Sequence, residues 1–390
     1  MDNRDYYCSV KFKYLKIDLE SKTTYNCHAS RPHPVDFAWL SKNTGQIFNI
    51  PINVHERQQM LINERNSSCE QNCWPAEDVG AISPRLYQSG DVKSHTQPVT
   101  FPETIDLTIG GDCNLTCSYC SKEFSSAWRR DIANNGDYPL TNTLDRFQLN
   151  NKDRILLNIS QPQLKSTKQY QQLLTEIKLV APTLKNLIIT GGEPFLDNQL
   201  FDILPDLNLS PETTIEIYTG LGVSMSRFTT ILSKLESIPN LVLIVSAENT
   251  KNFLEFNRYG VKWDEVIAKI DLIKDKKINF KFHSTISNLT IFDFVNFYNT
   301  FKNEKITLTF AYQPGIMMPY VLDNDSKEQI KQDILSLPME MQRAITHSIK
   351  ETPTEDQKIN TRIFLQEFTR RRPNLDINIF PKFFLKWLGL

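Results

Sequence analysis

Short apolar runs recur along the middle of the chain, separated by amphipathic stretches. TIDLTIG (104–110), LKNLIIT (184–190), TTIEIYT (213–219), LVLIVSA (241–247), INFKFHST (278–285) and ITLTFA (306–311) each have the length and β-branched content of a strand. Between them, SRFTTILSKLESI (226–238), DEVIAKIDLIKDK (264–276) and FDFVNFYNTFKN (292–303) place apolar residues at helical spacing. Strand–helix alternation of this kind predicts parallel βαβ units. Six of them predict an α/β fold, a partial (β/α)6 TIM-like barrel with its chemistry at the C-terminal strand ends. The first connection, about residues 118 to 183, is long and contains ANNGDYPLTNT, read as a surface excursion.

The flanks have other patterns. SVKFKYLKIDL alternates and then turns, which predicts a hairpin near the N-terminus. QSGDVKSHTQP, near residues 90 to 100, reads as a linker. Residues 326–372 read mostly as helix, and the tail FPKFFLKWLGL is apolar enough to need burial or a partner. The expected organisation is a small N-terminal domain (1–98), the barrel (99–325) and a C-terminal helical extension (326–390).

Composition narrows the function classes. The chain has 390 residues, 40% hydrophobic and 23% charged, with formal net charge −1. No general nucleic-acid or membrane-surface binding is expected from that balance. The basic run Arg370 to Arg372 reads as a solvated helix end. The opening residues lack the form of a signal peptide, and no apolar run approaches the ~20 residues needed to span a bilayer. A reducing, cytoplasmic setting is expected, where clustered cysteines are metal ligands more often than disulfides.

Seven cysteines are present, and three crowd into GDCNLTCSYC at Cys113, Cys117 and Cys120, after the first predicted barrel strand. A closed zinc site takes four ligands. Three thiolates on an iron–sulfur cubane leave one iron open.

CNLTCSYC resembles the CxxxCxΦC motif of the radical S-adenosylmethionine (SAM) enzymes, with Tyr119 at the aromatic position. ITGGEPFLD (189–197), after the second strand, resembles that family's GGEP motif and contributes Gly191, Gly192 and Glu193. The resemblance implies that Cys113, Cys117 and Cys120 ligate a [4Fe–4S] cluster and act as the catalytic set. S-adenosyl-L-methionine would chelate the open iron, with the GGEP stretch at its amino group. YTGLG (218–222) resembles the ribose-side strand and offers Thr219. SAENT (246–250) and NRYG (257–260) offer Ser246 and Arg258 for the ribose and carboxylate, against the plainer reading that Arg258 opens a helix and pairs with Glu255 or Asp264. The implied reaction is reductive cleavage of SAM to a 5′-deoxyadenosyl radical, which abstracts hydrogen from substrate. An external one-electron reductant such as flavodoxin or ferredoxin is implied as partner.

The remaining cysteines, Cys8, Cys27, Cys69 and Cys73, number what a closed cubane needs. A predicted hairpin with a cysteine near each end, followed by CEQNCWPAEDVGAISPR, resembles the twitch-type auxiliary domain. The match falls at Cys73, Trp74, Glu77, Gly80, Ser83 and Arg85, with one extra residue between the cysteines. It implies a second [4Fe–4S] cluster, against zinc or four unligated thiols. His28, beside Cys27, is not needed as a ligand with four cysteines at hand, and His283 is read as a hydrogen-bonded core histidine, against one that points into the barrel and touches substrate. The implied function is a radical SAM enzyme acting on a peptide, sugar or nucleoside, with net oxidation or cross-linking aided by the auxiliary cluster. The alternatives are a non-enzymatic iron–sulfur electron carrier or sensor, and a zinc-stabilised binding protein.

Overall fold

A computed structural model describes residues 5–78, 80, 83–89, 99–141, 145–159 and 161–390. The linker expected over 90–100 falls mostly on 90–98, outside the described residues. In chain order the strands are β1 (Tyr14–Asp18), β2 (Thr23–Tyr25), β3 (His33–Pro34), β4 (Thr104–Thr108), β5 (Thr116–Cys117), β6 (Asn186–Thr190), β7 (Thr214–Thr219), β8 (Leu241–Ser246), β9 (Arg258–Tyr259), β10 (Asn279–Ile286) and β11 (Ile306–Phe310). All six barrel strands lie where periodicity predicts them. The fold is mixed α/β, mainly parallel and rich in helices, consistent with the partial TIM-like expectation.

The chain divides into two compact units. The first comprises Met1–Gly110, Gln161–Ile217 and Ser237–Leu241. Its strands order β3-β2-β1-β4-β6-β7. The predicted hairpin is present as β1 and β2, antiparallel with Lys16 opposite Tyr25. It does not stand alone, because β1 also pairs in parallel with β4, from Tyr14 opposite Thr104 to Asp18 opposite Thr108. Both faces explain that pairing. Leu15, Ile17, Ile105 and Leu107 are buried. Asp106 accepts hydrogen bonds from the Tyr14 hydroxyl (2.5 Å) and the Thr190 hydroxyl (3.1 Å) and pairs with Lys16 at 3.6 Å. The helix Lys168–Val180 is capped by Thr167 and buries Leu173, Ile177 and Val180 at i, i+4 and i+7.

The second unit comprises Gly111–Ser160, Tyr218–Glu236 and Val242–Leu390. Here β8, β10 and β11 run in parallel, with Ser246 opposite His283 and Ile286 opposite Phe310. The helix Met225–Leu235 buries Phe228, Ile231, Leu232 and Leu235, the apolar stripe read from the sequence. An aromatic cluster joins the helix Ser126–Asn135 to the C-terminal helix Glu355–Arg370: Trp128, Tyr138, Phe147, Phe364 and Phe368 lie with ring centroids 5.2 to 6.3 Å apart.

This cluster corrects one reading. Arg371 and Arg372 are not a solvated helix end. Their side chains are 1% and 3% exposed, over the Tyr138 and Phe368 rings at 3.8 and 3.9 Å. Both pair with Asp131. Weakly hydrated, planar guanidinium stacks on aromatic faces in a way the charge pattern alone does not reveal. Only Arg370 fits the expectation, 60% exposed beside Glu367. The apolar tail is covered: Phe380 and Phe384 pack on Phe256 and Phe292, and the helix Lys382–Leu388 buries Leu385 and Leu388. Among the described residues, no helix is long and apolar enough to cross a membrane.

Phe364 is fully buried and touches four other rings of the cluster. Phe364→Ala is expected to cost about 3–5 kcal/mol, read as a lower urea midpoint with unchanged slope.

Candidate cofactor site

The three-cysteine loop lies within the second unit, and several local devices fix it. Ser125 caps the helix Ser126–Asn135 and donates to the Leu115 carbonyl at 2.7 Å. The Ser126 hydroxyl accepts the Cys113 backbone N–H at 3.1 Å. The Trp128 indole donates to the Cys117 carbonyl at 3.0 Å, a role the sequence did not suggest. Thr116 and Cys117 form β5, antiparallel to β9, with Cys117 opposite Arg258. Beyond the ladder, the Ser118 N–H donates to the Asn257 carbonyl at 2.7 Å and the Ser118 hydroxyl to Asn257 Oδ1 at 2.8 Å. Cys113 and Cys117 are buried, and Cys120 is half-buried.

Two glycines make room for the loop. A Cβ at Gly222 would meet Leu115 Cδ2 at 2.9 Å, and one at Gly260 would meet it at 2.8 Å. Gly260 also has φ +117, a conformation side chains rarely adopt. Asn114 Nδ2 donates to the Gly222 carbonyl at 2.6 Å. The segment between Cys113 and Cys117 is thereby held from two sides.

Above this loop sits a buried polar triad. Tyr119 donates to Glu248 Oε1 at 3.0 Å, Arg258 bonds the Tyr119 hydroxyl, and Arg258 reaches Glu248 Oε2 at 3.4 Å. Glu248 is fully buried and Arg258 nearly so. Burial raises the Glu248 carboxyl above its ordinary value, and Arg258 opposes that. Burial works to lower the Arg258 guanidinium, but Tyr119, Cys117, Glu248 and Cys113 outweigh it and hold the charge firmly. Arg258 therefore neither opens a helix nor pairs with Glu255 or Asp264. Its Nε is one of four buried side-chain polar atoms without a hydrogen-bond partner among the described residues. Glu248 was missed by sequence reasoning. Its signal was available, since it lies two positions past Ser246 in the same SAENT stretch.

The other predicted residues are placed as follows. Thr219 is buried at the end of β7, and its hydroxyl accepts the Leu221 N–H at 3.0 Å. Ser246 is half-buried at the end of β8. His283 contacts Thr307 at 3.5 Å and the Tyr218 ring edge-on. In the first unit, Gly191 has φ +151, and a Cβ there would meet the Gly110 carbonyl at 2.8 Å. That carbonyl also accepts the Gly192 N–H at 2.8 Å. The glycine pair is thus demanded by a close backbone approach. Glu193 is buried and caps the following turn by accepting the Phe195 N–H.

Cys8, Cys27, Cys69 and Cys73 are all buried and free in the first unit. Cys8, Cys69 and Cys73 share one cluster with Met60 and Trp74. A hydrogen bond between Cys69 and Cys73 raises the first thiol and lowers the second. Ser83 and the Arg85 backbone also work to lower Cys73. Burial pushes Cys27 up to about 11, with Cys8 and Cys73 close enough to add to the shift. The sequence motif converges physically: Arg85 binds Glu77 and the Tyr7 carbonyl and lies over Trp74, and Ser83 binds Glu77. The Trp74 indole donates to the Asn66 carbonyl at 2.6 Å.

Among the described residues, no group of three His, Cys, Asp or Glu converges as the donors to one metal ion do. A cubane takes its thiolates at separate iron corners, so buried cysteines on one loop suit it without meeting at a point. The donor chemistry, soft thiolates with no carboxylate among them, fits iron–sulfur ligation. The orphaned Arg258 Nε beside the three-cysteine loop offers a donor to an anionic group.

Gly222→Ala is expected to leave the chain folded but displace Leu115 at a cost of about 1–3 kcal/mol. Iron content after anaerobic reconstitution should fall relative to wild type. Unchanged iron would mean the Gly222 approach does not position the loop.

Residues 107–300 match the family model described as the radical SAM superfamily. A search of curated proteins returns no match. Among solved structures, native anSMEcpe with bound AdoMet and a Kp18Cys peptide aligns at TM-score 0.35 and 16% identity, over 54% of this chain and 51% of that one. Streptococcus suis SuiB bound to S-adenosylmethionine aligns at TM-score 0.34 and 12% identity, over 82% and 66%. The chain spans about half the length of the anSMEcpe structures it matches. Through the matched segment, which contains the three-cysteine loop, Gly191-Gly192 and Arg258, the chain belongs to the radical SAM superfamily, a family of [4Fe–4S] cluster and S-adenosylmethionine.

Proposed function

We propose that this chain is a radical SAM enzyme whose first cluster is held by Cys113, Cys117 and Cys120. The observation that carries the reading is the three-thiol loop locked by backbone pairing to Arg258, whose Nε has no hydrogen-bond partner among the described residues. When bound, the cluster and SAM supply a reductively generated 5′-deoxyadenosyl radical that removes a hydrogen atom from substrate. The protein's part is to bind and orient. Arg258 presents its Nε as a donor for the SAM carboxylate or ribose, and Glu248 and the Tyr119 hydroxyl hold the guanidinium by accepting from it. The family resemblance assigns Gly191 and Gly192 to the SAM amino group and Thr219 and Ser246 to its ribose. An external low-potential donor, of the flavodoxin or ferredoxin kind, supplies the electron.

Cys8, Cys27, Cys69 and Cys73 hold a second, fully ligated [4Fe–4S] cluster in a twitch-type domain over residues 1–98, ahead of a barrel over 99–325 and helices over 326–390. With no open iron, that cluster relays electrons instead of binding substrate. This suits net oxidation or cross-linking of a peptide, sugar or nucleoside. The burial of all four thiols together with the Cys73–Trp74–Glu77–Ser83–Arg85 network supports it.

Reconstituted wild type should carry about eight irons per chain and release 5′-deoxyadenosine from SAM under reduction. Cys117→Ala should lose about half the iron and all SAM cleavage. Turnover persisting in that variant refutes the assignment, and a non-enzymatic electron carrier would make no 5′-deoxyadenosine in any form. Cys73→Ala should remove the second cluster's spectrum and leave the first.

A further inference from the structure

Within the first unit, Lys11 is a fully buried ammonium whose three donors are all engaged: Asn26 Oδ1 at 2.6 Å, Glu56 Oε2 at 2.7 Å and Ser68 Oγ at 2.7 Å. Each partner's position is telling. Asn26 immediately precedes Cys27, and Ser68 immediately precedes Cys69. The Lys11 backbone N–H donates to the Cys8 carbonyl at 3.3 Å. One cation thus ties together the segments bearing three of the four cysteines. Glu56 is itself buried, accepts from Asn26, and takes the His33 Nε2 on its other oxygen at 2.8 Å.

A buried ion pair is expensive and is often replaceable by apolar residues at no loss of stability. Packing alone therefore does not account for a charge here. We propose that Lys11, balanced by Glu56, sets the reduction potential of the auxiliary cluster. The inference rests on the reading above that the four cysteines hold such a cluster. A cluster ligated by four thiolates is anionic, and one electron from an external low-potential donor makes it more so. That step makes or breaks no bond and moves no proton. A fixed cation at the ligand segments stabilises the reduced form, and a fixed carboxylate beside it opposes that stabilisation. The two residues must therefore act with opposite signs, which a purely structural role would not produce.

The test is a redox titration of the anaerobically reconstituted full-length chain, followed by electron paramagnetic resonance of the auxiliary signal. It is run alone and with Cys113, Cys117 and Cys120 replaced by Ala to isolate that signal. Lys11→Met should shift the redox equilibrium at least tenfold toward the oxidised form, 59 mV for one electron. Glu56→Gln should shift it toward the reduced form, and Lys11→Arg should stay within tenfold of wild type. If Lys11→Met does not fold, the signs for Glu56→Gln and Lys11→Arg still decide. Potentials unmoved, or moved in the same direction by Lys11→Met and Glu56→Gln, overturn the proposal while leaving the cluster in place. A wild-type iron count near four instead overturns the cluster reading itself, and the tuning role with it.

Discussion

Two residues of backbone pairing, Thr116 with Tyr259 and Cys117 with Arg258, hold the cysteine loop to the segment that carries the buried cation. A ladder that short is marginal alone. It persists because other contacts converge on it. Ser118 and Asn257 extend it by two hydrogen bonds, and Asn257 is in turn held by Asn249 at 3.0 Å. From behind, Arg372 donates to the Thr116 hydroxyl at 2.9 Å while stacked on Phe368 and near Trp128. The C-terminal helix therefore supports the loop through a guanidinium, and the aromatic cluster exists partly to hold that guanidinium in place. Distant packing and the geometry of the cysteine loop become one problem.

Much of this was legible in the sequence, for identifiable reasons. The six barrel strands are short, apolar and β-branched, so their positions follow from periodicity alone. The three-cysteine spacing and the glycine pair at 191–192 encode local backbone demands, and local demands survive in sequence. Arg258 was read from the sequence as a fork-shaped donor for a carboxylate, and it lies buried opposite Cys117. What escaped were relations between remote residues. Nothing in YLKID says that it pairs with TIDLT nearly ninety positions later; that pairing depends on matched apolar faces and on Asp106 gathering Tyr14, Lys16 and Thr190. Arg371 and Arg372 look solvated in a basic run, and only the aromatic rings folded beneath them reverse the reading.

Glu248 and Lys11 were missed for different reasons. Glu248 follows a strand, two positions past its last residue, where periodicity no longer says which way a side chain points. Lys11 sits in an alternating stretch that reads as hairpin, where a lysine would face solvent. It instead falls in the short 3-10 turn Ser9–Phe12, which points its ammonium inward. A change of local geometry over four residues converts a surface charge into a buried one.

The two buried cations also differ in a way that separates the two cysteine sets. Lys11 spends every donor on protein, so nothing is left to offer a ligand. Arg258 keeps its Nε unpaired inside the protein. Leaving a buried donor unsatisfied costs about 1–3 kcal/mol, and a charged one costs more. A bound group that accepts the bond offsets that cost. The same contrast runs through the thiols: four where the cation is closed, three where it is open. On the proposed reading, one centre is finished by the protein itself, and the other is left incomplete so that a small anionic molecule can finish it.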